Sequence, residues 1–129
     1  MNRNLVNVTL VVKEYDEAID FYTNKMNFKL LEDKDMGGGK RWVRVSPGGG
    51  NGCALLLAKG ANTEQLNHAG NQTGGRVAFF LETDDFKRDY EFMKKNGVHF
   101  TEEPRYEEYG TVVVLMDLYG NKWDLIERK

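Results

Sequence analysis

The chain of 129 residues repeats one pattern of predicted secondary structure, and this repeat limits the folds open to it. In the first copy, a β-branched segment at 5–12 precedes a helical pattern whose apolar face is formed by Tyr15, Ala18, Ile19, Tyr22 and Met26. Strand-like segments follow at 28–31, 41–46 and 53–59. The first copy therefore predicts one strand, one helix and three further strands.

The second copy has the same order. A strand-like segment at 76–82 is followed by a helix that Thr83-Asp84-Asp85 caps at its start and Asn96-Gly97 ends. The remaining strand-like segments are 98–101, 110–116 and 122–127. We therefore predict an α+β fold made of two tandem βαβββ modules.

The repeat also defines the domain organisation. We predict a single domain with module 1 at 1–59, a polar linker at 60–75 and module 2 at 76–129. Gly50-Asn51 precedes the last strand of module 1 as Gly120-Asn121 precedes that of module 2. Because a module of roughly 60 residues is marginally stable alone, we expect the two to pack together, so that their sheets form a curved mixed sheet around a ligand-binding cleft.

Composition excludes several classes of function. A net charge of -2 with interleaved signs gives no basic surface for nucleic acid. The longest apolar runs, such as 55–58 and 112–116, are far shorter than the ~20 residues of a membrane span. The single cysteine, Cys53, excludes an internal disulfide, and the N-terminus lacks a secretion-signal pattern, so we expect a cytoplasmic protein.

Two stretches of the chain carry a resemblance to a known superfamily. The first comprises Val6-Asn7-Val8-Thr9-Leu10-Val11-Val12, Asp16-Glu17-Ala18-Ile19-Asp20-Phe21-Tyr22 and Met26-Asn27-Phe28, and the second is Asp117-Leu118-Tyr119-Gly120-Asn121-Lys122-Trp123-Asp124-Leu125-Ile126-Glu127. They resemble the opening module and the closing signature of the vicinal oxygen chelate (VOC) superfamily, which contains glyoxalase I, bleomycin and fosfomycin resistance proteins and extradiol dioxygenases. The resemblance implies the glyoxalase/bleomycin resistance/dihydroxybiphenyl dioxygenase fold and a homodimer, but no particular reaction.

The resemblance also implies where a metal ion would bind. Members that use a metal have His or Gln on the first strand, an acid on the fourth, His on the fifth and Glu on the eighth. The matching positions here are Asn7, the acid-free segment 54–57, Arg76 and Asp124. A guanidinium has no lone pair to donate to a cation, so we expect no metal cofactor. A divalent metal held by Asp124 with His68 from the linker is the alternative.

A ligand site without metal is expected to use the same positions. Arg76 and Asp124 are expected to converge, either as a salt bridge that fills a former metal site or as an anchor for an anionic ligand. Trp42 and Arg44 share one face of the third strand, where Trp42 stacks on a ligand or packs in a core or dimer interface. Tyr109 either donates its hydroxyl to a ligand or packs beside Gly110. With Asn7, these are the predicted ligand-binding residues.

Three functions are compatible with these residues. The first is a glyoxalase- or bleomycin-resistance-like protein, enzyme or not, that binds a small anionic molecule without metal. The second is a metal-dependent lyase, isomerase or extradiol dioxygenase. The third is a non-catalytic protein that sequesters an antibiotic.

Overall fold

The computed structural model describes residues 1–49 and 52–129 of the chain. The expected turn at Gly50-Asn51 lies outside the described residues. The chain divides into two compact units, one over Met1–Ala69 and the other over Gly70–Lys129. The boundary between them falls inside the predicted linker.

The first unit contains a four-stranded sheet and two short helices. Its elements are strand β1 (Asn7–Val12), helix α1 (Tyr15–Asp20) continued by a π-helical turn (Phe21–Lys25), strands β2 (Lys29–Gly37), β3 (Lys40–Ser46) and β4 (Ala54–Lys59), and helix α2 (Thr63–Asn67). The strand order is β1-β4-β3-β2, with β1 parallel to β4 and the other pairs antiparallel. Helix α2 forms within the predicted linker, where the Asn62 side chain accepts a hydrogen bond from the backbone N–H of Gln65.

The second unit repeats this topology. Its elements are β5 (Val77–Glu82), α3 (Phe86–Lys95), β6 (His99–Phe100), β7 (Arg105–Glu107), β8 (Gly110–Met116) and β9 (Lys122–Arg128). The strand order is β5-β9-β8-β6, with β5 parallel to β9 and β7 paired to β8. The α+β class and the two βαβββ modules are therefore confirmed. Strand β7 is an addition, so the eighth strand of the expected repeat is β9.

Alternating apolar residues place the core of each unit between sheet and helix. In the first unit, the fully buried strand residues are Leu10, Val12, Val43, Val45 and Leu57. Tyr15, Ala18, Tyr22 and Met26 are buried from the helical segment, as its spacing predicts. The segment ends where Asn27 takes a left-handed φ of 61°, a usual conformation after a helix terminus.

The second core is built in the same way. Val113, Leu115 and Leu125 are completely buried on the sheet, and Phe86 and Met93 of α3 are buried as well. The helix begins where the Asp85 side chain accepts a hydrogen bond from the Arg88 backbone N–H and ends before Gly97, whose φ is 85°. Both ends are those that the sequence predicts.

No helix within the described residues is long and apolar enough to cross a membrane.

Candidate functional site

Each sheet has one side that its helix does not cover, here called its open face. Strand alternation and register put Asn7, Glu32, Trp42, Arg44 and Leu56 on the open face of the first sheet. They put Phe80, Val114 and Asp124 on that of the second. All predicted ligand-binding residues that lie on strands therefore occupy open faces.

On the first sheet, the predicted residues are brought together by hydrogen bonds. The Arg44 Nε donates to Asn7 Oδ1 at 2.8 Å, and the Arg44 Nη1 donates to Glu32 Oε1 at 2.6 Å. The hydrogen bond from Arg44 is the largest cause of the lowered pKa of Glu32. A hydrogen bond from Trp42, on the same face, lowers this pKa further. The Asn7 side-chain oxygen and the Arg44 guanidinium thus already have hydrogen-bond partners within the protein.

On the second sheet, Asp124 lies in the centre of the open face. It is opposite Val114 on one side and Phe80 on the other. The Asp124 Oδ1 is buried and has no hydrogen-bond partner among the described residues. Phe80 beside it is 71% exposed. An exposed aromatic ring next to an unpartnered carboxylate oxygen is the strongest candidate for ligand contact in this unit.

Two further charges act on Asp124. Burial raises the pKa of Asp124, Arg105 opposes this increase, and Glu102 adds to it. Glu102 is fixed in place because its Oε2 accepts hydrogen bonds from Arg105 Nε at 2.9 Å and from the backbone N–H of Val114 at 3.1 Å. Glu102 is the main cause that raises the pKa of Arg105, and Tyr109 contributes to the same increase.

We call Glu102, Arg105, Tyr109 and Asp124 the Asp124 cluster. The sequence predicts Tyr109 and Asp124 as site residues but misses the roles of Glu102 and Arg105. The only available signal is their opposite charge at i, i+3 spacing, which is common on protein surfaces. Their proximity to Asp124 depends on β7, which is too short to recognise from the sequence.

Arg76 lies elsewhere. It precedes β5 and is exposed, and the turn before it is fixed by Gly74 and Gly75, with φ of 71° and 109°, and by a hydrogen bond from Thr73 Oγ1 to the Arg76 carbonyl. Register places Phe80, four residues later, opposite Asp124. Among the described residues no ion pair joins Arg76 to Asp124, and the expected convergence of these two residues on a ligand stays a prediction.

The side chains at the superfamily's ligand positions do not fit a divalent cation. The Asn7 oxygen accepts from Arg44, Arg76 has no lone pair, and Asp124 alone supplies a carboxylate. His68 is exposed at the end of α2. Across residues 1–49 and 52–129, no group of three or more His, Cys, Asp or Glu side chains could hold a metal ion.

The closing signature has a structural role. Asp117 is buried, and its Oδ1 accepts from the backbone N–H groups of Tyr119, Gly120 and Asn121 at 3.2, 3.1 and 2.9 Å. Its Oδ2 accepts from Trp123 Nε1 at 3.2 Å. The signature therefore shapes the turn that leads into β9 and presents Asp124.

The two units differ at equivalent positions of their open faces. Leu10 pairs with Leu57 in the first sheet, and Leu81 pairs with Leu125 at the equivalent place in the second. Asp124 therefore corresponds to Leu56, one residue earlier on the matching strand. The polar group that distinguishes the second sheet is absent from this position of the first.

Comparison with known proteins agrees with this architecture. The sequence profile of the Glyoxalase/Bleomycin resistance protein/Dioxygenase superfamily matches residues 4–125. The chain belongs to this superfamily. The resemblance seen in the sequence is therefore confirmed.

Several proteins are similar to this superfamily member over nearly its full length. A protein of Shewanella frigidimarina, described as uncharacterized, is 53% identical over 128 residues, which are 98% of this chain and 95% of the relative. The structure of UcmS2 has a TM-score of 0.83 and 30% identity, with 98% of each chain covered. TnmS3, an antibiotic binding protein from Streptomyces sp. CB03234, has a TM-score of 0.80 and 24% identity, with 99% of this chain and 98% of TnmS3 covered.

Proposed function

We propose that this superfamily member binds a small organic molecule through the open face of its second sheet, without a resident metal ion. The observation that carries the proposal is the buried, unpartnered Oδ1 of Asp124. The resemblance implies that Asp124 occupies the position at which metal-using members of the superfamily have a Glu ligand.

The environment of Asp124 selects the chemistry of the ligand. A buried acceptor without a donor is unfavourable by about 1–3 kcal/mol, and a ligand that donates an N–H or O–H hydrogen bond removes this penalty. Phe80 offers an exposed ring on which an apolar or flat part of the ligand packs. The ligand is therefore an amine or alcohol with an apolar body.

The anionic ligand expected from the sequence depends on Arg76 instead. The Arg76 side chain is exposed and forms no ion pair among the described residues, so it is available to a carboxylate or phosphate. Arg105 is less available because it already pairs with Glu102 at 2.9 Å and Glu107 at 3.4 Å. The charge of the preferred ligand thus distinguishes Asp124 from Arg76 as the anchor.

We propose binding without turnover. The lyase, isomerase and dioxygenase activities that the resemblance implies depend on metal ligands, and the described His, Cys, Asp and Glu side chains form no group of three that could hold a metal ion. TnmS3 is described as an antibiotic-binding protein, but at its level of identity the likeness supports the fold alone. Sequestration of an antibiotic, the homodimer and the cytoplasmic location stay predictions.

Matched probes test the anchor. Benzylamine, benzyl alcohol and benzoate share one ring and differ in charge and donor capacity, and amide NMR titrations report both affinity and location. We expect benzylamine to shift the signals of Phe80, Val114 and Asp124, and Asp124→Asn to weaken it about tenfold, the loss expected for a charged hydrogen bond. Arg76→Gln is the matched control and is expected to leave benzylamine binding unchanged.

The opposite pattern contradicts the assignment. If benzoate binds more tightly than benzylamine and depends on Arg76 rather than Asp124, the ligand is anionic and Asp124 is not its anchor. If none of the three probes shifts the open face, the binding proposal for this face is wrong.

A further inference from the structure

We propose a second binding site, for a small organic cation, in a groove on the helix side of the second unit. The groove has a volume of about 440 Å³, within the range of roughly 300–1,000 Å³ that is usual for small-molecule sites. It is lined chiefly by Phe86, Tyr90, Glu91, Tyr106, Thr111 and Glu127. It lies on the other side of the sheet from Asp124, so it is separate from the site proposed above.

The groove results from the addition of β7. Tyr106, Thr111 and Glu127 form a row across β7, β8 and β9, because Tyr106 pairs with Thr111 and Thr111 with Glu127. The first half of α3 forms the opposite wall. Tyr106 is 81% exposed, so α3 does not cover the β7 end of the row. In the described part of the first unit no strand pairs at the position of β7, so this groove is not a feature of the repeat itself.

Aromatic rings give the groove surfaces that attract cations. The Phe86 and Tyr90 rings stack with centroids 5.6 Å apart and an interplanar angle of 15°. The ring of Tyr106 stands free on the other wall. A cation within about 6 Å of such a ring is stabilised by the ring quadrupole. The Lys94 Nζ, which does not line the groove, lies 5.6 Å from the Tyr90 centroid and shows that this ring attracts a cation.

The charges of the groove favour a cation over an anion. Asp85, Glu91 and Glu127 contribute three carboxylates to its lining, against the single ammonium of Lys87. The start of α3 does not offer an anion site, because the Phe86 N–H donates to Glu127 Oε1 at 2.7 Å and the Arg88 N–H donates to Asp85 Oδ1 at 3.1 Å. The partial positive charge at the start of α3 is thus already balanced by protein carboxylates.

The geometry points to an ammonium with an apolar body as the ligand class. The exposed ring of Tyr106 binds the charge without needing an N–H donor. A quaternary ammonium is therefore accepted here, whereas the Oδ1 of Asp124 requires a hydrogen-bond donor. This difference allows the two sites to be tested separately.

The test is an amide NMR titration of the full chain with benzyltrimethylammonium, and with benzyl alcohol and benzoate as neutral and anionic counterparts. We expect saturable shifts at Tyr90, Tyr106 and Thr111 with the cation only. Tyr106→Ala is expected to weaken binding about threefold to fivefold, the loss of one exposed cation–π contact. Tyr106 is so exposed that its replacement leaves the core intact.

Charge variants separate a local effect from the net charge of the protein. Glu91→Gln removes a carboxylate from the groove, and Glu108→Gln removes one from the exposed turn after β7. We expect the cation to bind more weakly to the Glu91→Gln variant and unchanged to the Glu108→Gln variant. Equal weakening by both variants, equal binding of the cation and benzyl alcohol, or shifts confined to Phe80 and Asp124 would each overturn the proposal. The Asp124→Asn variant is expected to bind benzyltrimethylammonium as the parent chain does.

Discussion

Two aspartates seven residues apart show how differently one side chain is used in this chain. Asp117 is buried and accepts hydrogen bonds from three backbone N–H groups and from the Trp123 indole. Asp124 has a buried oxygen that no group in the described part of the chain meets with a hydrogen bond. The first side chain holds a turn together, and the second is the one that we propose to contact a ligand.

Replacement of Asp117 is expected to destabilise the protein strongly. Asp117→Ala leaves the N–H groups of the turn and the indole without their acceptor, which we expect to lower the free energy of unfolding by about 2–4 kcal/mol. Urea denaturation followed by tryptophan fluorescence measures the change. A loss below about 1 kcal/mol, the size of one ordinary hydrogen bond, would contradict the structural role of the closing signature.

Replacement of Asp124 is expected to have the opposite effect. Asp124→Asn removes an ionised group that burial disfavours, so the free energy of unfolding near neutral pH should rise by about 1 kcal/mol. Because the pKa of Asp124 is raised in the folded state, the parent chain loses stability as pH rises from the ordinary aspartate pKa through the raised value.

Urea denaturation across this pH range compares the two chains. The stability gap between variant and parent should therefore widen from acidic to neutral pH and should be small where Asp124 is protonated in both states. A gap that is constant with pH would show that the carboxylate is not disfavoured by the fold. Arg105 and Glu102 are unchanged in both chains, so their own effects cancel in the comparison.

The elements show which parts of the fold could be predicted from the sequence. The eight repeated strands and the two long helical segments were predictable, because alternation, helical spacing and capping residues such as Asp85 and Gly97 are local signals. Strand β7 was not, since three residues show too little alternation. The bulge between Val77 and Phe79, which changes the register after Arg76, was not predictable either, because no local pattern indicates it.

The site was predictable only in part for the same reason. Asn7, Trp42 and Arg44 lie on one face by strand alternation alone, and Asp124 follows from the closing signature. Glu102 reaches Asp124 through contacts between β7, β8 and β9, which no local pattern records.

The start of β8 provides a test at the level of an element. Gly110 has a φ of 151°, and a Cβ at this position would lie 2.1 Å from the carbonyl oxygen of Glu127 on β9. Gly110→Ala is therefore expected to separate the two strands locally and to lower the free energy of unfolding by about 2–4 kcal/mol. Thermal denaturation followed by circular dichroism measures the loss.

A glycine in the hairpin between β2 and β3 serves as the control. Gly38 has a φ of 63°, but a Cβ there meets nothing within 4 Å. Gly38→Ala should lower stability by only about 1–2 kcal/mol, the strain of a left-handed residue. Equal losses in both variants would contradict a backbone clash at Gly110.

At the scale of the whole molecule, we predict that the protein binds no metal ion. The superfamily includes members that use a metal, but the described side chains form no group that could hold one. A ligand that binds the folded state raises its melting temperature. We expect incubation with Zn²⁺, Mn²⁺ or Ni²⁺ to leave the melting temperature unchanged and elemental analysis after buffer exchange to find far less than one ion per chain. A stoichiometric ion that Asp124→Asn removes would contradict binding without metal.

The assembly state is tested independently. The resemblance implies a homodimer, which sedimentation velocity at micromolar concentration distinguishes from a monomer of 14.8 kDa. A single species of monomer mass would show the prediction to be wrong.

The difference between Leu56 and Asp124 has a consequence for how such proteins diversify. Both residues point away from the side of the sheet that contributes to the core, so a change at either position alters recognition while the packing of the fold is preserved. A duplicated scaffold of this kind can acquire a new specificity through one substitution in one half, while the sheet and helix of each half keep their own packing.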